Sequence, residues 1–180
     1  MKIPSIFNPF PANEIVLRGS TGSVSFMIML SGNIQVESIY NGSTVIDTYD
    51  TSYQASTLTI PCDSETDVII TGNVTRLDPQ NDVEFYAMRD KYVVIASIGE
   101  NVKTLDMRNF TSGGLPLIPT NNVGVIYTTA PNNQQHILCE RVLNSTSVKR
   151  GGVLFVDTIG PHAADLITAA RNKGWRVYGL

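Results

Sequence analysis

From Val123 onward the chain alternates short apolar runs with helix-patterned segments, and this order constrains the fold more than any other feature. Val123-Gly124-Val125-Ile126-Tyr127-Thr128 and Val153-Leu154-Phe155-Val156 are continuous apolar runs of the kind buried on both faces of a parallel sheet. Between them, after Pro131, Asn132 or Asn133 is placed to cap a helix that carries Ile137, Leu138 and Val142 on one face. After the second run, Pro161 suits a first helical position. Ala163, Leu166, Ile167 and Ala170 then recur at i, i+3, i+4 and i+7, an amphipathic stripe. Gly174 is placed to end that helix, and Trp175–Tyr178 reads as a last strand. The order β-α-β-α-β predicts parallel strands with helices crossing over one face.

Upstream the signals are β throughout. Ile15-Val16-Leu17, Ser23–Leu30, Ile34 with Val36, Ile39-Tyr40, Val45-Ile46, Ser56–Ile60 and Val68–Thr71 are strand-like. Turn residues separate them at Gly19–Gly22, at Ser31-Gly32-Asn33 and at Asn41-Gly42, the last being the strongest short hairpin signal. Strands at such close spacing predict a small antiparallel sandwich or barrel; the sandwich, by analogy immunoglobulin-like, is the expectation over residues 15–71. Asp82–Met88, Tyr92–Ile98 and Val102–Met107 continue the strand pattern into the second region. Residues 1–14 carry Pro4, Pro9 and Pro11, which forbid a helix and leave an extended arm. Its Ile3, Ile6, Phe7 and Phe10 are too apolar for a solvated tail. They pack either along their own domain or on a neighbouring subunit, and they are the candidate partner-binding residues.

Composition narrows the function classes. Of 180 residues, 42% are hydrophobic and only 16% charged, against about 25% charged in ordinary soluble domains. Ser, Thr and Asn number 14, 17 and 14, a quarter of the chain, which suits extracellular or particle-forming β proteins. With 13 Lys+Arg against 16 Asp+Glu and a net charge of -3, the electrostatic footprint of a nucleic-acid partner is missing. No run approaches the roughly 18 apolar residues of a membrane-spanning helix. The three prolines interrupt the apolar region a signal peptide needs, so synthesis in the cytosol is expected. Cys62 and Cys139, with two His in the whole chain, are too few ligands for a structural zinc site or a disulfide framework, and both are expected as buried thiols. The sequons at Asn41, Asn73, Asn109 and Asn144 are what so Asn/Ser/Thr-rich a chain produces by chance.

The strand starts Val74, Val102, Val123, Val153 and Trp175 recur every 21 to 30 residues, bracketing the 20–29-residue unit of leucine-rich repeats. Ile69-Ile70-Thr71-Gly72-Asn73-Val74-Thr75-Arg76-Leu77, Val102-Lys103-Thr104-Leu105-Asp106-Met107 and Ile167-Thr168-Ala169-Ala170-Arg171-Asn172-Lys173-Gly174-Trp175-Arg176-Val177 resemble segments of irregular leucine-rich-repeat proteins of Bacteroidetes and their phages. Phe110 stands where the repeat pattern has Asn, and the Val123 unit matches at Val123 and Ile126 alone. The resemblance covers residues 68–180 and implies a short, distorted leucine-rich-repeat-like α/β solenoid over 72–180, with a recognition or structural surface and no catalytic residues.

Three readings of function follow. The first is a non-enzymatic structural protein, a phage virion component such as a capsid decoration, collar or fibre-base subunit. It would be held by the arm and by contacts with other virion proteins and with further copies of itself as a homo-oligomer, without cofactor, metal, nucleic acid or membrane. The second is a surface adhesion or binding module recognising glycan or protein on the repeat sheet. The third is an α/β enzyme with Asp157 and His162 as an acid–base pair and Thr129 orienting a ligand beyond the strand ends. Against it, Asp157 or Thr158 serves equally as a helix cap with His162 in the first turn. His136 and Cys139, at i and i+3 beside Glu140, lack an orienting third group and an oxyanion site. Lys149-Arg150-Gly151-Gly152 reads as a basic, solvated turn.

Overall fold

The computed structural model describes residues 14–88, 98–108, 122–128, 143, 151–156 and 163–180. These form a mixed, mostly β structure: β1 (Glu14–Arg18), β2 (Ser23–Tyr40), β3 (Ser43–Tyr49), β4 (Ser56–Pro61), β5 (Val68–Pro79), β6 (Phe85–Met88), β7 (Thr104–Asp106), β8 (Val125–Thr128), β9 (Val153–Val156), helix α1 (Ala163–Asn172) and β10 (Arg176–Gly179). All ten strands belong to one sheet, ordered β10-β9-β8-β7-β6-β1-β5-β2-β3, with β4 paired to β2 off this path.

β1 is the seam between two styles of pairing. It runs antiparallel to β5 on one side and to β6 on the other. From β6 to β10 every pair is parallel and the spatial order follows the sequence. The parallel order predicted from the apolar runs is therefore present. α1 forms over the predicted stripe, burying Ala163, Leu166 and Ala170. Its end is closed by Gly174 at φ +77, with Trp175 N donating to Ala170 O at 2.9 Å and Gly174 N to Arg171 O at 2.9 Å. Those are bonds of a Schellman-type cap, which needs the left-handed residue that glycine supplies. The Asn41-Gly42 hairpin also forms as predicted. Both residues have positive φ (52° and 75°) and join Tyr40 to Ser43, a type I′ turn whose twist matches the strands.

Three expectations change. Ser31-Gly32-Asn33 does not separate two strands: β2 is one strand of 18 residues, and the segment is an irregularity in its pairing with β5, where Leu30 faces Val74 but Ile34 faces Gly72. The physical reason is close backbone approach. A Cβ on Gly72 (φ +118) would lie 2.5 Å from Asn33 O, and one on Gly32 would lie 2.6 Å from Asn73 Nδ2. Glycine here permits a bulge and bend, while burial keeps its alternation through Val24, Phe26, Ile28, Leu30, Ile34 and Val36. Secondly, the expected boundary at 71/72 falls inside β5, and strands on both sides of it share the sheet. One hydrophobic cluster contains Phe26 and Leu77 together with Leu105, Ile126, Leu154 and Trp175. Thirdly, Val74 lies in β5, an antiparallel strand, so the regular parallel spacing begins at β6. The strand expected over Tyr92–Ile98 lies outside the described residues except for buried Ile98, as does the helix after Pro131 except for buried, helical Leu143.

Candidate functional site

Strand register aligns one row of side chains across nine strands on the face opposite the main core: Ile46, Glu37, Ile69, Val16, Ala87, Asp106, Tyr127, Phe155 and Tyr178. Because a strand sends alternate residues to alternate faces, the row beside it (Leu17, Tyr86, Leu105, Ile126, Leu154) points the other way, into the core. At about 4.8 Å per strand the outer row spans roughly 40 Å. Its middle is buried and its two ends are exposed: Val16, Ala87, Asp106 and Tyr127 are 0–1% accessible, while Ile46 is 54% and Tyr178 47%.

The buried middle holds charge in fixed pairs. Asp106 and Arg108 stand two residues apart, so both side chains leave the same face. Arg108 Nη2 donates to Asp106 Oδ2 at 2.8 Å and its Nε to Oδ1 at 3.0 Å, with the Arg108 backbone N adding a bond of 3.2 Å to Oδ1. The guanidinium also lies 5.3 Å from the Tyr127 ring centroid. Arg18 repeats the device nearer the seam, donating its Nε to Asp67 Oδ1 and stacking 4.3 Å over Phe85. A planar guanidinium satisfies a carboxylate and an aromatic face at once, which is how a buried charge is tolerated here. Burial, then Asp106, pushes the Tyr127 phenol above its ordinary value, with Arg108 opposing. Tyr86, fully buried and donating to Leu77 O at 3.2 Å, is raised well above it by burial and then by Asp78. Both phenols therefore stay protonated; Tyr86 lies on the core side, and the described residues of the outer face offer paired charges and the neutral Tyr127 ring. Thr104 Oγ1 is buried beside them without a hydrogen-bond partner.

From Tyr127 the row runs outward as an aromatic ladder. Tyr127 and Phe155 stack at 4.6 Å and 5°, and Phe155 and Tyr178 at 5.6 Å and 26°. Among the described residues, Tyr178 stands on β10, which pairs only with β9, while the opposite end of the path, β3, pairs only with β2. The six exposed large hydrophobic side chains among the described residues gather at these two edges: Ile39, Tyr40, Ile46 and Tyr53 around β3, Tyr178 and Leu180 at β10. The third strand with a single neighbour, β4, carries exposed Thr57, Thr59 and Pro61 instead. Charge divides likewise. Glu37, Asp47 and Asp50 are exposed around β3, and Arg171 and Arg176 around β10.

Of the residues singled out from sequence, Ile3, Ile6, Phe7 and Phe10 lie outside the described residues, as do Thr129, His136, Cys139, Glu140, Lys149, Arg150, Asp157, Thr158 and His162. Thr128 is described and buried at the end of β8, and Cys62 is a buried free thiol. The exposed edge of β3 was not among the sequence candidates. Its signal is present, because Ile39-Tyr40 and Val45-Ile46 put apolar residues on both faces of one hairpin, where a half-buried strand would alternate. Among the described residues no cluster of three or more His, Cys, Asp or Glu is arranged to hold a metal ion, and no helix is long and apolar enough to cross a membrane. No protein family, curated protein or solved structure matches the chain.

Proposed function

We propose that this protein is a structural subunit that works through protein–protein contacts, most concretely a phage virion component such as a capsid decoration, collar or fibre-base subunit. The observation that carries the reading is that, among the described residues, the exposed large hydrophobics gather around the two ends of the sheet path. Soluble proteins guard strand edges with charge, proline or bulges, and clustered exposed apolar side chains mark contact sites. The parallel region supports the solenoid expectation in its topology. Five strands stack in sequence order, and the register partners Phe85, Thr104, Val125, Val153 and Arg176 follow one another at 19, 21, 28 and 23 residues, close to a leucine-rich-repeat unit. Such arrays need their ends covered, and an assembly covers them. The apolar arm, with Ile3, Ile6, Phe7 and Phe10, is a further contact in this reading.

The exposed end of the aromatic ladder favours a second reading, an adhesion module in which Phe155 and Tyr178 receive a glycan or protein on the sheet face, since aromatic rings combine apolar area with a polar tip. Quantitative mass spectrometry of purified particles from the source separates the two. Recovery of the chain in fixed stoichiometry with the other particle proteins is the expected result. Recovery only outside cells, free of particles, overturns the virion reading and leaves the adhesion module.

A further inference from the structure

The two open edges are complementary to each other, and we infer that one copy's β10 docks on the next copy's β3, continuing the sheet head to tail. This rests on the assembly reading above and names its partner: a second copy of the same chain. The first ground is strand direction. β10 is parallel to β9, β8, β7 and β6; β1 reverses, β5 reverses again, then β2 and β3, which leaves β3 parallel to β10. A copy carried across without inversion therefore presents β3 beside β10 as a further parallel strand.

The second ground is the backbone. Arg176 N donates to Gly152 O at 2.9 Å and Leu180 N to Val156 O at 3.0 Å, so alternate residues of β10 face β9. Val177 and Gly179 then turn their N–H and C=O to the open side. On β3, Ile39 O accepts from Asp63 N at 2.7 Å and so points away from β3. Its cross-strand partner Thr44, with Ile46 and Thr48, turns backbone groups outward. Placing Tyr178 beside Ile46 of the next copy seats Val177 between the outward groups of Thr44 and Ile46, and Gly179 between those of Ile46 and Thr48. The outer row of one copy then runs into the outer row of the next, apolar end to apolar end.

The third ground is charge. Exposed Glu37, Asp47 and Asp50 lie around β3 and exposed Arg171 and Arg176 around β10, so a head-to-tail contact joins regions of opposite sign, whereas a two-fold pairing of β3 edges joins two acidic regions. A heterologous contact of this kind closes into a ring or extends as a filament.

The test uses the full chain and two edge-blocked variants, Ile46→Pro and Gly179→Pro, each removing one N–H that faces outward and so sparing the internal ladder. Ile46→Lys and Tyr178→Lys serve as replacements should a proline variant lose its native circular dichroism. Mass is read by light scattering across a concentration series. The expected result is that the parent forms multimers, that each variant alone falls to the 19.6 kDa monomer, and that mixing the two restores a 1:1 dimer through the unblocked edges. If Gly179→Pro still dimerises while Ile46→Pro does not, a two-fold contact between β3 edges replaces the head-to-tail one and the inference is wrong. Parent-like multimers from both variants overturn the inference but leave assembly through another surface. A parent that is monomeric throughout and absent from particles overturns both.

Discussion

Gly152 is the position where one methyl group has the largest calculable effect on the β10 edge. A Cβ there would lie 2.5 Å from Trp175 Cε2, 2.6 Å from Cζ2 and 2.7 Å from Gly124 O. Ordinary contact begins near 3.4 Å, so about 1 Å must be recovered. Neither neighbour yields easily. Trp175 is 3% exposed and its backbone N is committed to the helix cap, while Gly124 O already accepts from Val153 N at 2.8 Å. Overpacking a filled site costs about 1–3 kcal/mol, and with backbone on one side and an indole on the other the upper figure applies. In a chain of this length about 3 kcal/mol lowers Tm by roughly 6–12 °C. Gly151→Ala is the internal comparison, because its φ of +85° strains any side chain while nothing lies within 4 Å; its cost is conformational only, about 1 kcal/mol. Thermal melts followed by intrinsic fluorescence suit the pair, since Trp175 is the single tryptophan and reports the site directly. Gly152→Ala should melt well below Gly151→Ala and shift the emission. Equal melting, or the reverse order with unchanged emission, would refute the packing argument. Because Trp175 immediately precedes β10, Gly152→Ala should also weaken self-association.

Two smaller effects follow from titratable groups. The hydrogen bond from Lys103 Nζ to Glu84 Oε1 (2.8 Å) holds the Glu84 carboxyl below its ordinary value of 4.5. A lowered folded value means the stabilisation is complete above that ordinary value and is lost as pH falls through the lowered one. Lys103 is 55% exposed, so the pair is worth less than about 1 kcal/mol. The Tm of Glu84→Gln should lie slightly below the parent at pH 7 and converge with it in acid, and a gap that widens in acid contradicts the sign. Cys62 is 1% exposed and its thiol is pushed up by burial, then by Asp63 and Asp82. Peptide mapping after iodoacetamide at pH 8 should find Cys62 unmodified in the native protein and fully modified in denaturant; native labelling at the rate of a free thiol would show the site to be open.

Local signals carried the elements and failed where the answer depended on a distant strand. The Asn41-Gly42 turn, the α1 stripe and the Gly174 cap are decided within a few residues, and each has the form the sequence predicts. The Ser31-Gly32-Asn33 segment contains the same turn chemistry, yet β5 passes so close that the glycines serve a bend inside one long strand. Turn residues state what conformations are open to the backbone, and a partner strand decides which is used. The position 71/72 shows the same dependence on a distant strand. Composition changes there, but β5 pairs with β1 before Gly72 and with β2 on both sides of it, so pairing continues through the change.

The candidate surface was less legible still, because an edge is a property of strand order. Val45-Ile46 and Trp175–Tyr178 read in sequence as ordinary apolar strands, and in the interior of a sheet both would be core. The exposure of Ile46 and Tyr178 follows from β3 and β10 standing last in the path, which only the long-range pairings establish. The contrast with β4 then separates an exposed edge from a contact surface. Among the described residues all three strands have one neighbour, so accident should treat them alike. β4 ends in Pro61, which discourages strand addition. β3 has no proline or lysine along its seven residues, and its exposed Ile46 shares one row with the exposed Tyr178 of β10. A sheet that carries proline at the strand that leads nowhere, and an exposed Ile46 or Tyr178 with opposite charge nearby at the two strands that would meet by simple repetition, fits a further copy at each end.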